Sequence, residues 1–229
     1  MIFKFVFLIA LSFGYISLLD HEGILGVSSL AFVVVLMGAN PSLYIPLLEA
    51  HGYDLDPVAF GLTDLFAIPT LPMLVFGLGG GSSVDWMPIF SAIIPLVLGI
   101  ILGNLAPDFR NLFANGKPLS IPVLVYNIGM SLNLIEGLQS GLAGIILEIL
   151  YYVFMAPTYV LDKSFLKNDG IASLSMKSII ATSASFPIII ARSFPELHVN
   201  VNGATPQIAT AAIITIIVTP ILVTRKAEK

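Results

Sequence analysis

The sequence predicts an all-α polytopic membrane protein of eight transmembrane helices, arranged as an incomplete five-plus-five inverted repeat with two broken crossing helices. Three observations carry this: the composition, the spacing of polar punctuation, and a similarity between the beginning and the end of the chain. Of the 229 residues, 57% are hydrophobic and 10% charged, against ~45–50% and ~25% for a soluble domain. One globular core of this length cannot hide so much apolar surface, so lipid must solvate it. The mean hydropathy of +0.97 agrees. The absence of cysteine excludes disulfide frameworks, thiolate metal sites and cysteine nucleophiles. A net charge of −4 offers no basic surface for nucleic acid.

A helix crosses the hydrocarbon in ~20 apolar residues, and reading between polar connectors defines the spans in order. Span A is 2–19, B 24–48, C 57–80, D 88–104, E 119–135, F 138–160, G 170–192 and H 205–224. In span A, Lys4 precedes an apolar run as in a signal peptide, but the run ends Ile16-Ser17-Leu18-Leu19-Asp20 with no small-x-small cleavage site, so the span is retained. Eight spans place both termini on one side. That side carries Lys4, Arg110, Lys117, Lys163, Lys167, Arg225, Lys226 and Lys229, the other only Arg192, while Lys177 falls inside span G. The positive-inside rule then puts both termini in the cytoplasm of a multi-pass protein.

Self-comparison aligns A-B-C with F-G-H. Ser29 through Pro46 in B is similar to Ser173 through Ile190 in G, each preceded by a Leu-Asp turn and by a glycine, Gly26 or Gly170. The Thr70-Leu71-Pro72-Met73-Leu74-Val75 end of C likewise matches Val218-Thr219-Pro220-Ile221-Leu222-Val223 in H, in the same order and with modest identity. A displacement of five spans is odd, so the two copies run in opposite directions, a common build of secondary transporters with a midplane site. The chain then reads as one transporter domain, with 1–80 a partial first repeat and 81–229 the second. The counterparts of D and E are missing from the first repeat.

Polar residues inside the spans mark candidate sites. Pro41 and Pro187 interrupt B and G at corresponding positions, freeing backbone carbonyls beside Asn40, Ser42, Thr182, Ser183 and Ser185. Such unpaired backbone is tolerated at that depth only inside protein or beside water; ordinary proline kinks are the simpler alternative. Ser175, Ser178, Thr182 and Ser185 follow helical spacing, a hydroxyl stripe suited to a polyhydroxy substrate or to close helix packing. Asp64, two turns into C, is the first candidate for coupling a proton or sodium ion. Glu148 in F and Lys177 in G are expected to pair directly, which neutralises both most cheaply. In span E, Asn127 and Ser131 share a face. The substrate-binding candidates are therefore Asn40, Ser42, Asn127, Ser131, Ser178, Thr182 and Ser183, and the ion-coupling candidates Asp64, Glu148 and Lys177. The scattered His21, His51 and His198 carry no metalloprotease or serine-hydrolase motif, so neither an enzyme nor a resident metal or cofactor is expected.

At these residues the chain resembles the 2-keto-3-deoxygluconate permease family. Leu102-Gly103-Asn104-Leu105-Ala106-Pro107-Asp108-Phe109-Arg110 is similar to the family's LGNL-x-P-acidic-x-R segment. Ile121-Pro122 followed by Gly129 to Leu134, Asn40-Pro41-Ser42-Leu43-Tyr44, and Asp162-Lys163 with Asp169-Gly170 and Pro187 resemble its other motifs. Met130 stands where the family has Asn, and Glu148 and Lys177 where it has residues similar to Gly and Ser. The resemblance covers the last eight spans of a ten-span plan. It implies a fold like that of the bile acid sodium symporters and cation-coupled import of 2-keto-3-deoxygluconate or a similar sugar-acid across the bacterial inner membrane. A fixed Lys177 ammonium in place of a coupling cation is one reading of the departures. A transport-inactive fragment, N-terminally truncated by two spans, is the alternative to a working transporter. Faces of A–C left uncovered by the missing spans would favour a homodimer or degradation.

Overall fold

The computed structural model describes residues 2–20, 22–52, 63, 67–80, 87–106, 108, 116, 122–123, 126, 130, 135, 138 and 140–228. Within them the regular structure is helical, with no strand; an antiparallel bridge between Ile24 and Val27 closes a turn. Span A forms α1, Ile2–Leu19, and buries Lys4, Leu8, Ser12 and Tyr15, spaced along one helical face. The Tyr15 hydroxyl donates to the Val27 carbonyl at 3.0 Å and pins α1 to the following turn.

Span B divides into α2, Ser29–Leu36, and α3, Pro41–His51. Every residue of α2 is buried. A helix apolar all round belongs in a core rather than on a surface, and Phe32 anchors it, stacked on Tyr15 and edge-on to Phe154. The Ser28 hydroxyl caps α2 by accepting from the Ala31 amide, and the Ser29 hydroxyl donates to the Asp20 carbonyl.

The described end of span C is α4, Thr70–Gly80, and span D is α5, Met87–Leu105. Phe90, Ile94, Val97, Leu98, Ile101 and Leu105 of α5 are exposed, an apolar surface suited to lipid or further protein. Asp64, and Asn127 and Ser131 of span E, lie outside the described residues.

Span F forms α6, Gly141–Val160, extended by a π-helical turn at Leu161–Phe165. Its two faces separate cleanly. Leu142, Ile145, Ile149, Val153 and Val160 are exposed, whereas Gly144, Leu147, Glu148, Tyr151 and Met155 are buried. Span G divides into α7, Ile171–Ser175, a 3₁₀ turn at Ala181–Ser185, and α8, Phe186–Ser193. Span H is α9, His198–Ala227, after a 3₁₀ turn at Pro195–Leu197. It starts earlier than the hydropathy reading places it, because Asn200, Asn202 and Gly203 lower apolarity without interrupting the helix. The long α9 packs along α2, α3, α6, α7 and α8 and is the spine around which both broken spans are arranged.

Three helical stretches among the described residues, Ser29–His51, Gly141–Phe165 and Pro195–Ala227, are long and apolar enough to cross a membrane, and Phe3–Leu19 is a shorter apolar helix.

Candidate functional site

The two broken spans meet at their breaks. In B the helix ends at Leu36, and Asn40, with extended backbone at φ −123° and ψ 87°, starts the next segment. Proline disfavours a helical predecessor, and as the first residue of α3 Pro41 lacks only an amide that would have no helical partner. In G the unwound stretch is 176–180, between α7 and the 3₁₀ turn. This corrects the expectation that Pro187 makes the break. Phe186 before it is already helical, and Pro187 lies in the first turn of α8, where a missing amide is tolerated.

A backbone bond joins the two breaks, the Ile180 amide donating to the Ala39 carbonyl at 3.2 Å. Gly38 makes this approach feasible: a Cβ there would sit 3.1 Å from Ile179 Cγ2 and from the Val35 carbonyl oxygen. Gly26 and Gly170, ahead of the two broken segments, have left-handed φ of +80° and +86°. At Gly170 a Cβ would also collide with the Tyr159 ring at 2.5 Å.

Asn40 is the pivot of the crossing. Its Oδ1 accepts from the Leu43 amide at 3.2 Å, capping α3, and its Nδ2 reaches Ser178 Oγ at 3.4 Å and the Ile179 carbonyl at 3.5 Å. Asn40, Ser42, Ser178 and Ser183 are all buried, and the Ser183 hydroxyl has no hydrogen-bond partner. Thr182 is exposed, as is Ser185, whose hydroxyl donates to the Thr182 carbonyl at 2.7 Å. The expected single hydroxyl stripe along G is therefore not formed. The break separates Ser175, which bonds back to the Ile171 carbonyl at 2.9 Å, from the later hydroxyls, and helical spacing does not carry across unwound chain.

Sequence reasoning misses three residues that hold the crossing. Thr215 Oγ1 accepts from the Ile179 amide at 3.1 Å, and Thr219 Oγ1 donates to the Lys177 carbonyl at 2.6 Å. Both lie on α9, four residues apart on one face, a spacing that could have flagged them. Tyr152 of α6 joins Thr219 at 3.3 Å. The third residue is Lys4, read from sequence as a flanking cytoplasmic charge. It is 4% exposed, and its ammonium donates to the Gly38 and Met176 carbonyls, each at 3.5 Å.

Glu148 and Lys177 do not pair. Glu148 is 3% exposed, and neither carboxylate oxygen has a hydrogen-bond partner. The buried hydroxyl of Tyr151, one turn along α6, is likewise without a partner. The Lys177 ammonium instead sits 5.5 Å from the centre of the Tyr159 ring, a cation–π arrangement. Tyr159 is eleven residues beyond Glu148 on α6, a separation of ~16 Å along the helix axis. Among the described residues no three His, Asp or Glu side chains converge on a metal position. The LGNL segment ends α5, where Asn104 Nδ2 donates to the Ile100 carbonyl at 2.7 Å.

Residues 1–229 match the sequence profile described as 2-keto-3-deoxygluconate permease. The chain is 32% identical over 226 residues to 2-keto-3-deoxygluconate permease 1 of Salmonella typhimurium, covering 99% of this chain and 71% of that protein. It is 32% identical over 197 residues to 2-keto-3-deoxygluconate permease of Bacillus subtilis, covering 86% and 60%. For the permease of the same name from Escherichia coli K12 the identity is 30% over 198 residues, covering 86% and 61%. The chain thus spans less than two thirds of the length of the last two. No solved structure matches it. With named permeases matched across nearly its whole length and apolar helices that suit a bilayer, the chain belongs to the 2-keto-3-deoxygluconate permease family, a family of membrane transporters and not of enzymes.

Proposed function

We propose that the chain is a secondary active transporter that imports 2-keto-3-deoxygluconate, or a similar sugar-acid, together with a proton or a sodium ion. One observation carries the reading: two apolar spans unwind where they cross, and buried Asn40 and Ser178 meet at that point. Transporters bind substrate and coupling ion between such discontinuous helices, where unwound backbone and small polar groups replace water. The substrate class comes from the names of the relatives.

In this reading the protein lies in the bacterial inner membrane with both termini cytoplasmic. It has eight spans in an inverted repeat, 1–80 and 81–229, of the bile acid sodium symporter kind. Asn40, Ser42, Ser178, Thr182 and Ser183 contribute to substrate binding from the broken spans, and Asn127 and Ser131 from span E. Asp64, Glu148 and Lys177 serve ion coupling. Glu148 is the foremost of these among the described residues, because a bare carboxylate buried in apolar surroundings is costly. A proton or sodium ion that binds there during part of the cycle removes the cost and links ion movement to conformation. Self-association as a homodimer would cover apolar faces such as that of α5.

Counter-transport of radiolabelled 2-keto-3-deoxygluconate in proteoliposomes, with and without a proton or sodium gradient, tests this. Saturable uptake that a gradient drives is the expected result. If well-folded protein takes up no tested sugar-acid, the chain is transport-inactive and the reading fails.

A further inference from the structure

Glu148 and the second break are connected by a short chain of hydroxyls that stops one step before the carboxylate. Thr219 of α9 donates to the Lys177 carbonyl at 2.6 Å, and the Tyr152 hydroxyl of α6 lies 3.3 Å from the same threonine oxygen. A hydroxyl has one proton to give. The Thr219 proton is committed to a carbonyl, which can only accept, so Tyr152 must donate the second bond. The chain therefore has a direction, from Tyr152 to Thr219 to the unwound backbone. Tyr152 also lies one turn beyond Glu148 on α6, and helical side chains lean back over the preceding turn. The field of the Glu148 carboxyl reaches the hydroxyls of both Tyr151 and Tyr152. Neither tyrosine donates to it, and Tyr152 is turned to Thr219 instead.

We propose that Tyr152 is a latch between ion site and crossing, donating to Thr219 while Glu148 carries its ion and turning to the Glu148 carboxylate once the ion leaves. The role rests on the transporter reading, which makes Glu148 the ion site, and it makes Tyr152 a positioning residue. A carboxylate neutralised by a proton or a sodium ion does not compete for the hydroxyl, so Tyr152 can tie α6 to α9 and the second break. A bare carboxylate in apolar surroundings draws the nearest O–H, because hydrogen bonds to a charged acceptor are about twice as strong as neutral ones. Of the elements packed against α6, α2 and α7 carry no titratable side chain, and those of α9, His198, Arg225 and Lys226, lie near its two ends. The π-helical extension of α6 adds Asp162 and Lys163, ~20 Å further along the helix than Glu148, and Lys177 is engaged by Tyr159. Tyr151, whose buried hydroxyl is without a partner, is a second donor within reach but has no bond to give up. Turning Tyr152 releases Thr219 from α6, and α9 with the second break can then shift against α6. Departure of the ion is thereby converted into a change of helix packing at the crossing.

The experiment is thermal unfolding of the purified full chain in detergent, over a pH series in sodium chloride and in choline chloride at equal ionic strength. It compares the wild type, Tyr152→Phe and Thr219→Val, each also combined with Glu148→Gln. Tyr152→Phe should lower the Tm more when protons and sodium are both scarce than when Glu148 is loaded. The difference should be ~3 °C or more, since only the bare carboxylate is then deprived of its donor. Thr219→Val should show the opposite trend: its cost shrinks as the ion is withdrawn, because the bond from Tyr152 has already been given up. Glu148→Gln should abolish both trends. A Tyr152→Phe cost that is the same in every condition overturns the proposal, as does a trend that survives Glu148→Gln. Should Tyr152→Phe yield no folded protein, Thr219→Val decides: a shrinking cost supports the latch, and a constant or growing one overturns it. None of these measurements uses uptake. A wild type that takes up no sugar-acid therefore ends the transporter reading, while the latch stands or falls on Tm.

Discussion

The two breaks of the crossing solve the same physical problem by different means. At 37–40 the solution is local: Asn40 caps the helix that follows it, and Pro41 begins that helix without a spare amide. At 176–180 the chain supplies no side-chain cap of its own, and neither the 3₁₀ turn nor α8 has one. There, Thr215 and Thr219 of α9 satisfy the Ile179 amide and the Lys177 carbonyl. One discontinuity is written into its own few residues; the other exists because a neighbouring helix holds it open. The second break and α9 should consequently move as one unit, whereas the first can shift against them by exchanging the bonds of Asn40 to Ser178 and Ile179.

Removing the local solution should have the largest effect. Asn40→Ala deletes the cap of α3 and both links to the opposite break. A lost Asn cap costs ~0.5–2 kcal/mol, and groups left unsatisfied in the buried crossing add ~1–3 kcal/mol. Unfolding in detergent should show a loss near the upper part of that combined range, with uptake abolished. Asn40→Asp, which keeps the capping oxygen, should restore more stability than transport. Equal damage from both substitutions would contradict the idea that capping and crossing are separable roles of one side chain.

The helix-held break should yield less to any single change, because its support is divided between two threonines. Thr219→Val keeps the branched shape and removes the hydroxyl, and ~1 kcal/mol is expected, since hydrogen bonds between membrane helices average ~0.6 and reach ~1.7 kcal/mol. Thr215→Val should cost about the same by that measure. The double variant tests whether α9 is the true support: the two losses should add or exceed their sum in unfolding measurements. A double variant as stable as either single one would mean that water or another group replaces α9. Ser178→Ala should do less than either threonine change, under ~0.6 kcal/mol, because its 3.4 Å contact with Asn40 is long.

How much was readable in advance follows the same division. The break in B is legible because its causes are adjacent in sequence: Gly38, Asn40 and Pro41 lie side by side. The ends of α1 and α5 agree closely with spans A and D, because apolar runs bounded by polar residues leave little freedom. In G, the conspicuous Pro187 pointed downstream of the actual break, whose cause lies some forty residues away on α9. Lys4 is illegible in sequence for a related reason. Counting charges near span ends treats every lysine there as a flank, and nothing local distinguishes one that turns inward onto carbonyls. Sequence pairs Glu148 with Lys177 because opposite charges in consecutive spans save the most energy if they can meet. Helix rotation decides that, and it turns Glu148 into the core while Lys177 extends towards Tyr159.

The smallest expected effect concerns that pair, and it limits what else could hold the second break. If a charge link tied 176–180 to α6, then Glu148→Gln and Lys177→Gln would each be harmful and the double variant milder than their sum. The geometry predicts a coupling energy within ~0.3–0.5 kcal/mol of zero, the additivity of independent sites. The single variants should also differ in kind. Glu148→Gln removes no hydrogen bond, so Tm should hold or rise while gradient-driven uptake is lost. Lys177→Gln forfeits the contact with Tyr159, worth ~0.5–2 kcal/mol, and should lower Tm. Lys177→Arg would recover that loss, since a guanidinium stacks on an aromatic face at least as well. A coupling well above the additive range would show that the two charges meet in another conformation of the cycle, and the second break would then have an ion pair to α6 besides its contact with Tyr159.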